Sequence, residues 1–166
     1  MTSGTPYSNS FKYNKNGTGW NDYTLNTIIT LSGGDYIAFS GTTNQLGKNI
    51  YVRSVQNGDF YNFPTTGTNL KIRGDITDLI ANSGLTSGCF NQLFKANTLK
   101  HAKELALPNT TAPSCYCQMF SGCNSLIDAP LTLPAQVLTK NCYHSMFEHC
   151  NALEYAPSCL PAVNLQ

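Results

Sequence analysis

Cys115-Tyr116-Cys117-Gln118-Met119-Phe120 is the stretch on which the reading of this chain turns, because it recurs. The same frame stands at Cys89-Phe90-Asn91-Gln92-Leu93-Phe94 and again at Cys142-Tyr143-His144-Ser145-Met146-Phe147. The opening cysteines are 26 and 27 residues apart, and Pro108, Pro134 and Pro161 each fall fourteen residues after the motif phenylalanine. A fixed period of this size is the signature of a solenoid, in which each unit buries its apolar face only against its neighbours. Such a chain is expected to present a surface more than to perform a reaction.

Within one copy the spacing predicts a short helix. Cys115 with Met119, and Tyr116 with Phe120, are four residues apart and make one broad apolar stripe, leaving Cys117 and Gln118 outward. Ser121-Gly122 would end the helix. Residues 126–131 should then run extended, since Pro130 and Pro134 bar a helix and most ladder donation. Copy one differs in its turn, being one residue shorter before Leu99 and one longer after it.

Ahead of the repeats, residues 10–80 read as a β-rich domain, preceded by a flexible tail over residues 1–9. Residues 24–31 are rich in β-branched side chains and are followed, after Ser32-Gly33-Gly34-Asp35, by Tyr36-Ile37-Ala38-Phe39-Ser40 at hairpin distance. Residues 49–55 predict a third strand, Asn57-Gly58 a tight turn, and residues 60–63 and 70–73 the rest of a meander. Phe11-Lys12-Tyr13, a turn at Asn16-Gly17, and Trp20 with Tyr23 predict one more hairpin. Ile76 and the residues up to 83 form a junction whose apolar side chains should cover the open end of the stack. The expected fold class is therefore α+β: a small β-sandwich-like domain, then a leucine-rich-repeat solenoid of about three repeats over residues 81–166.

Composition narrows the function classes. Charged residues are 11% of the chain and the net charge is +1, with the ten basic residues scattered, so a phosphate-tracking nucleic-acid binder is excluded. Asn, Thr, Ser and Gly carry the surface polarity, as on extracellular and virion proteins. No apolar run is long enough to span a bilayer, and the N-terminal residues have no secretion-signal pattern. All seven cysteines lie at or after Cys89. An odd count at equivalent repeat positions favours small buried fillers over a disulfide framework.

Phe120-Ser121-Gly122-Cys123-Asn124-Ser125-Leu126 with Leu133-Pro134, and Phe147-Glu148-His149-Cys150-Asn151-Ala152-Leu153 with Leu160-Pro161, resemble the BspA-type leucine-rich repeat. The resemblance covers residues 85–166; copy one departs from it, with Ala96-Asn97 where the cysteine belongs. It implies a surface adhesin, bacterial or phage-encoded, that contacts host or neighbouring-cell protein or glycan. That family has no shared catalytic residues to carry over.

Each chemical motif also has a plainer explanation. The Cys115, Cys117, Cys123, Cys142, His144, His149 and Cys150 set offers zinc ligands, yet only one short pair holds two cysteines and part of the set falls on the buried stripe. No metal and no cofactor are expected. Cys117, whose repeat-equivalents are Asn91 and His144, should be an exposed thiol. Cys117 with His144 could form a nucleophilic pair, but nothing in the sequence supplies an oxyanion hole or an orienting partner. No catalytic residue is assigned. The expected ligand-binding residues are Trp20, Gln118, His144 and Tyr155. The expected function is non-enzymatic binding at a cell surface or virion through the repeat face. The alternative is a self-assembling phage virion component such as a fibre, tail or decoration subunit, and a cysteine-dependent enzyme is a weaker third. Stopping at Gln166 would leave an apolar end, so the sequence predicts that the natural protein continues or that another chain caps it.

Overall fold

The computed structural model describes residues 11–22, 28–32, 34–41, 67–76, 85 and 87–165. Phe11–Lys15 (β1) and Asn21–Asp22 (β2) form an antiparallel hairpin. Asn16 and Gly17, with φ of 55° and 73°, supply its turn, closed by the Thr18 N–H donating to the Lys15 carbonyl at 3.1 Å. Ile37–Gly41 (β3) pairs antiparallel with β1, from Phe11 opposite Gly41 to Lys15 opposite Ile37. Asp35 holds the entry to β3. Its carboxylate accepts from the Ser32 N–H at 2.8 Å and the Asn16 side-chain amide at 2.7 Å, and pairs with Lys15 at 2.9 Å. Those contacts, the Ser32 hydrogen bond foremost, keep its carboxyl well below the usual carboxylate range.

This three-stranded sheet, in the order β2-β1-β3, replaces part of the expected meander. Residues 28–31 lie in no strand, and 24–27, the rest of the segment expected to pair with β3, fall outside the described residues. The strands expected over 49–55 and 60–63, the Asn57-Gly58 turn, the tail over 1–9 and most of the junction fall outside the described residues. Leu70–Asp75 (β4) is a strand, but it pairs parallel with Leu99–Ala106 (β5) of the first copy. A parallel partner cannot be reached through a hairpin, so this pairing is not part of the expected meander. Ile76, at the end of β4, is buried in the same core as the first copy.

The expected fold class does not hold. Among the described residues there is no α-helix; the strands form three small separate sheets, and neither a β-sandwich nor a leucine-rich-repeat solenoid of helix-and-strand units is found. Where helices were expected, residues 87–96, 113–122 and 140–149 run as unbroken turns. In copy two the N–H groups of Cys117, Met119 and Ser121 donate three residues back, to Ser114, Tyr116 and Gln118, at 3.1–3.2 Å. The intervening N–H groups, of Ser114, Tyr116, Gln118, Phe120 and Gly122, donate to copy three instead. Their acceptors are the carbonyls of Lys140, Cys142, His144, Met146 and Glu148, at 2.8–2.9 Å. Copy one does the same onto copy two, from Gly88, Phe90, Gln92, Phe94 and Ala96.

The reason lies in the spacing. A helix advances 100° per residue, so residues four apart drift by about 40° at each step. A ribbon of overlapping turns repeats every fourth residue, and the left-handed φ values show that period: Gly88, Gln92 and Ala96; Ser114, Gln118 and Gly122; Asn141, Ser145 and His149. Cys115, Met119 and Cys123 therefore stay on one line, as do Tyr116 and Phe120, all with no exposed surface. Stacking the ribbons puts like on like. Tyr116 lies between Phe90 and Tyr143 at centroid distances of 5.7 and 5.2 Å, and Phe120 between Phe94 and Phe147 at 5.4 and 5.6 Å, all within 21° of parallel. Each stacked pair adds about 0.5–1.5 kcal/mol beyond its burial. The Cys123 thiol donates to the Phe94 carbonyl at 2.9 Å and the Cys150 thiol to the Phe120 carbonyl at 3.1 Å. In copies two and three the cysteine three residues after the motif phenylalanine thus ties its copy to the one before.

On the other side of each copy the chain is extended, as Pro130 and Pro134 require. Pairing there is sparse: single parallel bridges join His101 to Asp128, Asp128 to Tyr155, and Thr132 to Cys159, and Val137–Leu138 (β6) pairs with Asn164–Leu165 (β7).

The left-handed backbone of the ribbon can be tested at Gly122. Its φ is +76°, and an added Cβ would meet the Ala96 Cα at an ordinary 3.5 Å. Gly122→Ala should destabilise by about 1–2 kcal/mol through backbone strain, read from the urea midpoint.

Candidate functional site

The ribbons bring three of the expected residues together. Equivalent positions form columns: Asn91, Cys117 and His144 in one, Gln92, Gln118 and Ser145 in the next. The Gln92 side-chain amide donates to Gln118 Oε1 at 2.7 Å, and Lys95 Nζ donates to the same oxygen at 3.2 Å. Gln118 is therefore half-buried and held by its neighbours rather than freely outward. His144 is exposed.

Cys117 departs from expectation: it is half-buried, shielded in its column. Burial first, and then the nearby Glu148 carboxylate, push its thiol pKa up, with Lys95 opposing. Its Sγ lies 3.9 Å from His144 Nδ1, a long and weak contact. A thiol raised in this way is protonated at neutral pH, so the pair lacks the activation that a cysteine nucleophile needs.

The other two expected residues lie elsewhere. Trp20 is 52% exposed beside β2, in the N-terminal sheet. Tyr155 is 64% exposed on the extended side of copy three, in a column with Asp128 and His101.

That column contains a polar centre not anticipated from the sequence. His101 Nδ1 lies 2.5 Å from Asp128 Oδ2, while Oδ1 accepts from the Ala102 N–H at 2.9 Å and the Lys103 N–H at 2.7 Å. Burial raises the Asp128 pKa, but the His101 hydrogen bond and the two backbone donors outweigh it and hold the carboxyl below its ordinary value. Aligning the copies by period would have found it, since His101, Asp128 and Tyr155 are successive equivalents, 27 residues apart. Nothing in their residue types marks them as such.

The remaining thiols line the core. Cys89, Cys115, Cys123 and Cys142 are buried, Cys150 is half-buried and Cys159 exposed, and none of the seven is in a disulfide. Desolvation pushes Cys123 up to about 12 and Cys115 higher still. Among the described residues no group of three His, Cys, Asp or Glu side chains is placed to hold a metal ion, and no helix is long and apolar enough to cross a membrane.

Asp128→Ala should cost about 0.5–1.5 kcal/mol, because it removes the carboxylate acceptor of His101 and the Lys103 N–H, while the buried Ala102 N–H keeps the Asp128 carbonyl at 3.1 Å. The folded pKa of Asp128 is below its unfolded value, so the contribution is complete above the unfolded pKa, near 4, and is lost as pH falls through the folded one. The stability gap between wild type and variant, followed by urea unfolding, should therefore close only in acid. Thiol alkylation should modify Cys159 first and Cys117 more slowly, at a rate still rising above the ordinary thiol pKa. Cys115 and Cys123 should react only on unfolding, with peptide mapping as the readout.

No family model, no curated protein and no solved structure matches this chain. The likeness to BspA-type repeats thus rests on the residues that carry it, and the site has to be read from its own geometry.

Proposed function

We propose that this chain is a non-enzymatic binding module of a cell-surface or virion protein, contacting a host protein or glycan through the side-chain columns of its repeats. The observation that carries this is the alignment of equivalent polar side chains across copies, fixed by the backbone ladder and, at Gln92 and Gln118, by direct bonding. A rigid row of neutral donors and acceptors loses little entropy on binding. Tyr155, exposed beside the Asp128 and His101 pair, adds an aromatic face of the kind that anchors interfaces and sugars. With so few charges, the surface suits a neutral polar partner better than a charged one. The resemblance to BspA-type repeats points the same way, and the localisation outside the cell follows from this reading.

The test is binding to arrayed glycans and immobilised matrix proteins, with Tyr155→Ala and Gln118→Ala as variants. The wild type should bind at least one of them, and the variants should lose about tenfold or more in affinity. Wild-type binding to nothing in either panel, or unchanged binding by both variants, overturns the proposal.

A second reading, a self-assembling virion component, is favoured by the exposed Leu131, Leu160 and Val163 around the last copy. Light scattering separates the two: a concentration-independent monomer supports the binding module, and a defined oligomer supports assembly.

A further inference from the structure

The copy-to-copy ladder has a direction, and among the described residues its edge at copy three is open. Ribbon one gives five N–H groups to ribbon two, and ribbon two gives five to ribbon three. The equivalents in ribbon three are the N–H groups of Asn141, Tyr143, Ser145, Phe147 and His149, and none of them has a hydrogen-bond partner among the described residues. The extended side repeats the pattern. Ala129 and Leu133 donate across to Tyr155 and Cys159, whereas the equivalent N–H groups of Ala156 and Leu160 donate to nothing described.

The same edge ends both ring columns. Tyr143 and Phe147 each stack on a ring of copy two and are half-buried, where Tyr116 and Phe120, covered on both faces, are fully buried. An open depression runs along residues 138–144 beside them. The opposite end of the stack is closed: β4 pairs with β5, and Cys89, Phe90 and Phe94 are buried.

We infer that the open edge of copy three is a docking site for a polypeptide segment that brings carbonyls at alternate residues and an apolar ring over each of Tyr143 and Phe147. The occupant is a further turn ribbon whose carbonyls and rings repeat the spacing that copy three presents to copy two. The donor row decides this. A row of unpaired N–H groups along a ribbon edge is a template for another strand of chain, and a row of carbonyls at the same spacing matches it. A second copy meeting this edge about a two-fold axis would set N–H against N–H, which makes the edge unsuited to isologous pairing. Addition of a segment to an open backbone ladder, with side-chain contacts giving specificity, is a known mode of peptide capture.

Amide hydrogen exchange of the full chain tests it, with a synthetic peptide of residues 139–153 as the probe, since that segment already covers the equivalent donors of copy two. In dilute chain, Asn141, Tyr143, Ser145, Phe147 and His149 should exchange at least about tenfold faster than Ser114, Tyr116, Gln118, Phe120 and Gly122. Peptide at about 1 mM should slow the first set about tenfold and leave the second unchanged, and a scrambled peptide should do nothing. Phe147→Ala should weaken the effect while the copy-two amides stay slow, which shows that the variant is folded. Slow exchange of the five amides in dilute chain alone overturns the inference, because the edge is then covered from within. Slowing that depends on chain concentration without peptide overturns it in favour of a second copy. Slowing by peptide at other amides, or at none, also overturns it.

Discussion

Everything described in the repeats depends on how their backbone N–H groups are divided. In each turn ribbon alternate N–H groups close a local turn; in the first two ribbons the others reach the next copy, and in the third they line the open edge. A helix would use its interior N–H groups within the copy and leave stacking to side chains alone. The ribbon instead makes every second residue part of a ladder between copies, and this holds the side chains of one copy over those of the next. The cost is the left-handed backbone at every fourth residue, taken by glycine at Gly88 and Gly122 but by Gln92, Ala96, Ser114, Gln118, Asn141, Ser145 and His149 elsewhere. Each of these non-glycine positions costs about 1–2 kcal/mol, so the interlocking rings and hydrogen bonds must outweigh a standing strain.

The cysteines belong to the same arrangement. A thiol is small enough for the interior columns and can still donate to a carbonyl, so Cys123 and Cys150 serve as packing and as a link to the preceding copy. Asn97 holds the equivalent place in copy one, where it is buried and its side-chain oxygen accepts from the Leu99 N–H at 3.1 Å. Desolvation keeps these thiols protonated, which preserves the S–H donor and makes them poor nucleophiles. The same burial therefore supports the fold and argues against cysteine chemistry.

The period was legible in the sequence and located the copies, their columns and the extended, proline-marked side. The fold class drawn from it failed because four-residue spacing is shared by a helical stripe and by a turn ribbon. Cys115 with Met119 and Tyr116 with Phe120 fit both. The deciding property is backbone sign at positions such as Gln118 and Ser145, whose residue types give no hint of it. The Asn16-Gly17 turn was legible for the opposite reason, since asparagine and glycine announce positive φ. The pairing of β4 with β5 was not, because a strand's residues do not name its partner. Of the expected site, the alignment of Cys117 with His144 followed from the period, whereas the half-burial of Cys117 and the bonding of Gln118 arise from neighbours in other copies. The His101 and Asp128 pair was hidden by the differing residue types at equivalent positions.

The alternation of donors also limits how such a chain can change over time. One residue inserted within a ribbon would exchange the two sets downstream of it, turning stack-facing N–H groups onto their own turn and the others outward. The ribbons keep ten residues each, 87–96, 113–122 and 140–149. The one-residue slip between copies one and two lies outside them, in the extended segment, where β5 pairs irregularly and bridges are single. Length variation is thus confined to one side of each copy, and that side is where insertions can accumulate without disturbing the register of the whole.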